Sequence, residues 1–290
     1  MQVDLILDAK ANLGEGPIWH APTQRLYWVD INGNAVHVFN PADGSDRAID
    51  VGQKVGTVVV RRSGGLLLAL HHGMAFLSLD TEQVTMLCDP ESDLTDNRFN
   101  DGKCDPAGRF WAGTMSLVRK TGGANLWRLD PDMTVHRMLD DVTISNGIVW
   151  SLDHRTMYYI DTPTRQVAAF DYEVETGCIA NRRVVVTFPE GAGSADGMAI
   201  DAHGMLWIAH FRGGRVSRWD PASGNMLLAI DIPAQKVTAC AFGGPNLDDL
   251  YITTARVDLT EEELRAQPHS GGLFLVRPGV PGVESFEFAG

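Results

Sequence analysis

One unit recurs along this chain. Its clearest copy runs from Gly193 to His210: a short apolar segment opening at Asp196-Gly197, an Asp201-Ala-His-Gly204 turn, and a second apolar segment ending in polar residues. Apolar segments joined by an Asx/Gly turn predict a β-hairpin. The second strand of that hairpin reappears as Arg25-Leu-Tyr-Trp-Val-Asp30, Gly65-Leu-Leu-Leu-Ala-Leu70, Arg109-Phe-Trp-Ala-Gly-Thr114, Thr156-Met-Tyr-Tyr-Ile-Asp161, Met205-Leu-Trp-Ile-Ala-His210 and Asp249-Leu-Tyr-Ile-Thr-Thr254. Copies spaced by roughly 40 to 50 residues match the period of propeller blades with four strands each. The expected fold is therefore all-β, a six-bladed β-propeller with four antiparallel strands per blade.

Third strands follow at Ala35 to Asn40, Met74 to Asp80, Asn125 to Asp130, Gln166 to Asp171, Arg215 to Asp220 and Gly271 to Arg277. Fourth strands are expected at Arg47 to Val51, Val84 to Cys88, Val135 to Leu139, Arg183 to Phe188 and Met226 to Ile232. Turns such as Asn40-Pro-Ala-Asp-Gly44 and Asp220-Pro-Ala-Ser-Gly224 separate them, with Pro and Gly supplying the backbone angles. The N-terminal Val3-Asp-Leu-Ile-Leu7 has no partner beside it, so it is expected to pair with the last blade near Glu284-Ser-Phe-Glu-Phe288 and close the ring. One helix is predicted over Asp258–Gln267, capped by Asp258 or Thr260 with glutamates in its first turn. No linker or shift of composition divides residues 1–290, which read as a single domain, and 44% hydrophobic residues suffice for a large core.

A net charge of −13 argues against nucleic acid or an anionic membrane as a partner, because both need a basic footprint. A small solute or a cation suits such a chain better. No apolar run approaches a membrane span, and Met1-Gln2-Val3-Asp4 does not begin an export signal, so the expected place is the cytoplasm. Cys88, Cys104, Cys178 and Cys240 stand apart with no Cys-x-x-Cys, and read as buried free thiols rather than disulfides or zinc ligands. The expected assembly is a monomer or weak homo-oligomer.

The first strands of the blades line a propeller's channel. They open at Gly14-Glu15-Gly16-Pro17, Lys54-Val55-Gly56-Thr57, Asn100-Asp101-Gly102-Lys103, Ser145-Asn146-Gly147-Ile148, Ala195-Asp196-Gly197-Met198 and Val237-Thr238-Ala239-Cys240. Equivalent positions in a ring face one axis, so Glu15, Asn100 or Asp101, Asn146 and Asp196 are expected to converge. Carboxylate and amide oxygens gathered this way suit a hard divalent cation, Ca²⁺, Mg²⁺ or Mn²⁺, and accommodate Zn²⁺. Each polar-Gly pair alone is a turn device. Four in register are a site, because buried carboxylates facing each other without a cation would repel. Gly191–Gly197 has the look of a phosphate loop, but a strand follows it and no Lys completes it. No Gly-x-Ser-x-Gly elbow or His-Glu-x-x-His zinc motif occurs. His20, His71, His72, His154 and His269 show no ligand spacing and read as surface or turn residues.

Several pieces in order, Leu13-Gly-Glu-Gly-Pro-Ile-Trp19, Asn97-Arg-Phe-Asn-Asp-Gly-Lys103 with Gly108-Arg-Phe-Trp-Ala-Gly-Thr-Met115, Ser145-Asn-Gly147, Ala195-Asp-Gly-Met198 and Phe242-Gly-Gly244 through Thr253-Thr-Ala-Arg256, resemble the senescence marker protein-30 (regucalcin), gluconolactonase and luciferin-regenerating enzyme family. The likeness spans Leu13 to Arg256. It implies a six-bladed propeller with one divalent cation in its channel, held by Glu15, Asn146 and Asp196. It also implies that Asn100 sits beside the metal and contacts substrate, that Arg98 contacts substrate oxygens, and that Asp196 doubles as general base.

On that resemblance the expected activity is a metal-dependent sugar lactonase, opening a 1,4- or 1,5-aldonolactone to its acid. A cation polarises the carbonyl while a carboxylate takes a proton from water. Two alternatives share the site: a phosphotriesterase or aryl-esterase, and a calcium-binding regulatory protein without turnover. After Gly113-Thr-Met115 the chain departs from the animal members of the family, which carry acidic residues there, with Ser116-Leu-Val-Arg-Lys120. This leaves the choice of sugar open, and Arg119 and Lys120 would favour an anionic lactone if that loop tips over the channel mouth.

Overall fold

The computed structural model describes residues 1–290. Six sheets of four antiparallel strands follow one another along the chain. From the axis outward, blade 1 is Gly14–His20, Arg25–Asp30, Ala35–Asn40 and Ser45–Asp50, and blade 2 is Val55–Val60, Leu66–Leu70, Gly73–Leu77 and Val84–Cys88. Blade 3 is Asn97–Cys104, Phe110–Ser116, Ala124–Leu129 and Val135–Val142, and blade 4 is Ser145–Trp150, Thr156–Asp161, Gln166–Glu173 and Cys178–Thr187. Blade 5 is Ser194–Ile200, Leu206–Phe211, Arg215–Asp220 and Asn225–Asp231. Blade 6 combines Val237–Gly243, Asp249–Thr254 and Leu273–Val276 with the N-terminal Val3–Leu7 as its outermost strand. Each inner strand lies against those of the two neighbouring blades, which closes the ring.

The second strand of each blade is covered on both faces by adjacent blades, so it reads as a near-continuous apolar run rather than an alternating one. Leu66–Leu70 is buried along its whole length, and Leu206–Phe211 along all but its last residue. The fourth strands face solvent and bury few of their residues. Ser45–Asp50 buries Ile49 while Arg47, Ala48 and Asp50 stay exposed.

Two blades are fastened at the end opposite the strand openings by the same device. The Asp105 carboxylate accepts from the backbone N–H of Ala107 and Arg109 at 3.0 and 2.9 Å and from Trp111 Nε1 at 3.0 Å. Asp201 repeats this with His203 and Met205 at 2.8 and 3.0 Å and with Trp207 Nε1 at 2.9 Å. The turn residue Gly204 has φ +78°, which only glycine adopts without strain. Asp201 is fully buried and also holds Arg218 Nε at 2.7 Å.

The closing strand pairs differently from expectation. Val3–Leu7 lies antiparallel to Leu273–Val276, with Val3 opposite Val276 and Leu7 opposite Leu273, and not beside Glu284–Phe288. The reason lies in the burial of the tail. Phe288 is fully buried in the apolar cluster of blades 2 and 3, and its backbone bonds to Val60 O and from Arg62 N, both at 2.9 Å. The tail therefore straps the far end of the ring and leaves the sheet edge to the N-terminus. The helix is Glu261–Ala266 in blade 6, capped by Thr260 rather than Asp258 in a reciprocal box with Glu263. All four cysteines are free, but Cys178 is exposed and Cys88 half-buried, because both sit on outer strands; Cys104 and Cys240 are buried. No helix is long and apolar enough to cross a membrane.

Candidate metal centre

All six inner strands begin at one end of the ring, and each carries one residue more than its partner strand near that beginning. Glu15 faces Val29 while Ile18 faces Tyr27; Val55 faces Leu70 while Thr57 faces Ala69; Phe99 faces Thr114 while Gly102 faces Ala112. Asn146 faces Ile160 while Ile148 faces Tyr159; Ala195 faces His210 while Met198 faces Ile208; Val237 faces Thr254 while Ala239 faces Thr253. Such a bulge bends the strand and re-aims a side chain. In four blades the residues at this bend are Glu15, Asn100 with Asp101, Asn146 and Asp196. In blades 2 and 6 they are Gly56 and Thr238, which carry no carboxylate or amide.

The sequence-predicted residues come together here. Glu15, Arg98, Asn100, Asp101, Asn146 and Asp196 are all buried, at 4–7% exposure. Asn100 Nδ2 donates to Ser145 O at 2.7 Å and to Asn146 Oδ1 at 3.2 Å, and Arg98 Nη1 donates to Asn100 Oδ1 and Phe99 O, each at 2.8 Å. Asn146 Nδ2 donates to Thr162 Oγ1 at 2.8 Å, and that hydroxyl donates to Ala195 O at 2.8 Å. Blades 3, 4 and 5 are thus tied together around the hub.

Burial, followed by the charge of Asp101, pushes the Glu15 carboxyl up to about 8, against the Gly16 N–H, Arg98 and Lys103. Asp196 is raised well above the carboxylate range by burial and then by Glu15 and Asp101, with Arg98 and Asn146 opposing. Burial lowers the Arg98 guanidinium to about 10 while Glu15 and Asp196 hold it charged. Two carboxylates drawn from blades 1 and 5, with only blade 6 between them, and starved of water are a standing electrostatic cost. A divalent cation fits this donor set, because it removes the repulsion and accepts hard oxygen ligands. The set is two carboxylates and an amide; no group of three or more Asp, Glu, His or Cys side chains is placed to hold a metal.

Sequence reasoning left several supporting residues without a role. Asp30 closes the second strand of blade 1 and accepts from the N–H of Asn12 and Leu13 at 2.8 and 2.9 Å, which pins the chain two residues before Glu15. Asp161 does the same in blade 4 for Thr143 and Ile144, the latter at 2.9 Å, two residues before Asn146. The shared strand ending, Asp30 and Asp161, was the available signal. Glu91 is buried and accepts from Asn97 Nδ2, Thr114 Oγ1, Asn125 Nδ2 and Trp127 Nε1 at 2.6–2.9 Å, which fixes the backbone beside Arg98. Both Asn100 and Asp101 face inward, but differently. Asp101 Oδ1 accepts from Gly102 N at 2.7 Å while Oδ2 is shielded from solvent without a partner, and Lys103 beside it donates to Met198 O. Leu117–Lys120 is an exposed loop at the same end as the hub.

The pattern described as SMP-30/Gluconolactonase/LRE-like region matches residues 13–256. Regucalcin of Xenopus laevis is 39% identical over 297 residues, covering 100% of this chain and 99% of that protein. The putative sugar lactone lactonase YvrE of Bacillus subtilis (strain 168) is 39% identical over 290 residues, covering 100% and 99%. Among solved structures, a luciferin-regenerating enzyme superposes with a TM-score of 0.93 at 32% identity over 99% of both chains. A calcium-binding protein, regucalcin, from Agrobacterium tumefaciens str. C58 superposes at 0.94 with 27% identity over 98% of this chain and 96% of that one.

Proposed function

Since this chain belongs to the SMP-30/gluconolactonase/LRE-like family, we propose that it is a divalent-metal-dependent sugar lactonase that opens a 1,4- or 1,5-aldonolactone to the aldonic acid. The observation that carries this reading is the meeting of two buried carboxylates, Glu15 and Asp196, beside Asn146, Arg98 and Asn100 at one end of the channel. A relative named as a sugar lactone lactonase supports the substrate class.

Glu15, Asn146 and Asp196 would hold the ion, which when bound supplies Lewis acidity toward the ester carbonyl oxygen. Asp196 takes the proton from the attacking water. Sharing itself with the ion would lower the basicity of this carboxylate, while burial works in the opposite direction. The water oxygen bonds to the carbonyl carbon, the ring C–O bond breaks, and the proton held by Asp196 passes to the departing ring oxygen. Arg98, with one nitrogen anchored on Phe99 O and Asn100 Oδ1, presents the rest of its guanidinium to substrate oxygens. Asn100 is held by Ser145 and Asn146 and needs no reordering when substrate arrives.

The test is hydrolysis of glucono- and xylonolactone by protein stripped with chelator and then reloaded with Ca²⁺, Zn²⁺, Mn²⁺ or Mg²⁺ in turn. Activity absent after stripping, restored by an ion, and lost in Asp196→Asn is the expected result. Full turnover by the stripped protein overturns the mechanism. The name of the calcium-binding Agrobacterium relative favours a second reading, ion binding without turnover. In that case Arg98→Ala leaves ion affinity unchanged and no lactone is opened.

A further inference from the structure

Blade 2 sends no carboxylate or amide to the hub. It sends one lysine and one histidine to the rim instead, beside Arg98 of blade 3, in a chain whose net charge is −13. The inner strand of blade 2 is pressed against blade 3 so closely that a Cβ on Gly56 would lie 2.4 Å from Asn100 O and 2.5 Å from Phe99 O. Arg98 Nη1 donates at 2.8 Å to that same Phe99 oxygen. The guanidinium and Gly56 therefore meet the same carbonyl, and Lys54 stands two residues before Gly56. Lys54 is half-buried; its Nζ donates at 2.6 Å to Asn32 Oδ1 from the adjoining turn of blade 1, and its carbonyl accepts from His71 N at 2.7 Å. His71 follows the second strand of blade 2, stacks on His72 with ring centroids 4.2 Å apart, and has its Nε2 shielded from solvent without any partner.

Asp30 and Asp89 carry charge near this group, but neither accepts a hydrogen bond from Arg98, Lys54 or His71. Glu15 and Asp196 are neutralised by a divalent cation when one is bound. Asp30 faces Lys54, but its oxygens are committed to the N–H groups of Asn12, Leu13 and Gly33. Asp89 faces His71 and accepts from Glu91 N at 3.1 Å. The mouth thus holds one guanidinium and one ammonium bonded only to amide and carbonyl oxygens, with an imidazole whose ring nitrogen has no partner. These are donors for a single oxyanion.

We infer that the lactone this protein takes carries an oxyanion on the substituent distal to its carbonyl, held at the rim of blade 2 by Arg98, Lys54 and His71. This rests on the lactonase reading of the hub and adds to it the class of sugar, an acidic lactone. A terminal carboxylate and a terminal phosphate share this chemistry, and the substrates distinguish them.

The experiment compares kcat/KM of the metal-loaded protein for glucono-1,5-lactone, glucaro-1,4-lactone and 6-phosphoglucono-1,5-lactone. One of the two acidic lactones is expected to exceed the neutral one by tenfold or more. That ratio is expected to fall at least tenfold in Lys54→Gln, through KM rather than kcat, and to be restored in Lys54→Arg, as fits a charge-assisted contact. Calorimetry with glucarate, 6-phosphogluconate and gluconate reads the same preference without turnover. An acid-to-neutral ratio near one, or a ratio that Lys54→Gln and His71→Ala leave unchanged, overturns the inference while lactone opening stands. Lys54-dependent binding of glucarate or 6-phosphogluconate by a protein that opens no lactone would instead sink the lactonase reading and keep the anion site.

Discussion

Asn100 Nδ2 donates to Asn146 Oδ1 at 3.2 Å, joining a candidate substrate contact on blade 3 to a candidate metal ligand on blade 4. The orientation of that ligand is set from its other end. Asn146 Nδ2 donates to Thr162 Oγ1 at 2.8 Å, so the amide oxygen, not its nitrogen, is turned to the hub. Thr162 touches no proposed ligand oxygen and acts only through Asn146 and Ala195.

Thr162→Val keeps the shape of that side chain and removes its hydroxyl. Freed from its partner, the Asn146 amide is able to rotate and present its nitrogen to the ion. Metal affinity is expected to fall by about 10- to 100-fold, the usual cost of losing an outer-shell partner. Thr162→Ser restores it. Titration calorimetry with the divalent ion checks both, and unchanged affinity in the valine variant would show that Thr162 does not set the orientation of the Asn146 amide.

The pH response of metal-free protein follows from Glu15. Its carboxyl is raised in the folded state to about 8 from an ordinary value of 4.5. A raised acid binds its proton more tightly when folded, so metal-free protein loses stability as pH rises through that window, and the loss is complete above it. Glu15→Gln removes the charge. The variant is expected to melt higher than the parent at pH 8.5 when both are stripped, by at least about 3 °C for a chain of this size, and to melt alike at pH 4.5. Saturating metal reverses the order at pH 8.5, because only the parent then binds the ion. Melting curves at the two pH values, with and without metal, decide it.

How far the residues foretold this arrangement depends on whether the physics was local. Recurring apolar runs and Asx/Gly turns are local, so the six blades and the positions of Glu15, Asn146 and Asp196 at the strand openings were legible. The closing pair was not, because Ser285-Phe-Glu-Phe288 alternates polar and apolar residues as an edge strand does, and Leu273–Val276 reads as an inner partner of its blade. What separates them is the slot between blades 2 and 3 that receives Phe288, and that slot exists only in the folded ring. Asp30 and Asp161 were visible as strand endings, yet their partners lie 17 or 18 residues back along the chain. Nothing short of the hairpin geometry assigns them. The cationic rim of blade 2 was hidden for a similar reason. Lys54 and Arg98 are 44 positions apart in sequence, and Gly56 reads as a turn residue until blade 3 is pressed against it.

Scaffold and site are expected to separate in Asp201→Asn. Burial works against the Asp201 carboxylate, but Arg218, Trp207 and the turn N–H groups overcome it and hold the group below its ordinary value. A lowered acid lends stability above its unfolded value that vanishes as pH falls through the folded one. The variant leaves Arg218 beside a neutral amide and is expected to cost about 3 kcal/mol at pH 7. The cost shrinks only as pH falls below the ordinary carboxylate range and through the lowered folded value. Metal affinity is expected to stay within twofold, because Asp201 lies at the opposite end of blade 5 from Asp196. Denaturant unfolding at pH 7 and at successively lower pH measures the first claim, and calorimetry the second.

The tail strap gives the last test. Phe288 is fully buried among Val60, Phe110 and Leu129, Arg61 lies in parallel bridge register with it, and His20 Nε2 meets Glu287 Oε1 at 3.0 Å. Blades 1, 2 and 3 are thus joined at the far end by a segment that belongs to none of their sheets. Phe288→Ala leaves a cavity the size of a phenyl ring between blades whose strands are hydrogen-bonded and unable to close over it, so the cost is expected near 3–5 kcal/mol. Because the hub lies at the other end of the inner strands, well below the melting temperature kcat is expected to stay within twofold while the unfolding midpoint drops. A fall in kcat matching the fall in stability would mean that the strap positions the hub as well as closing the ring.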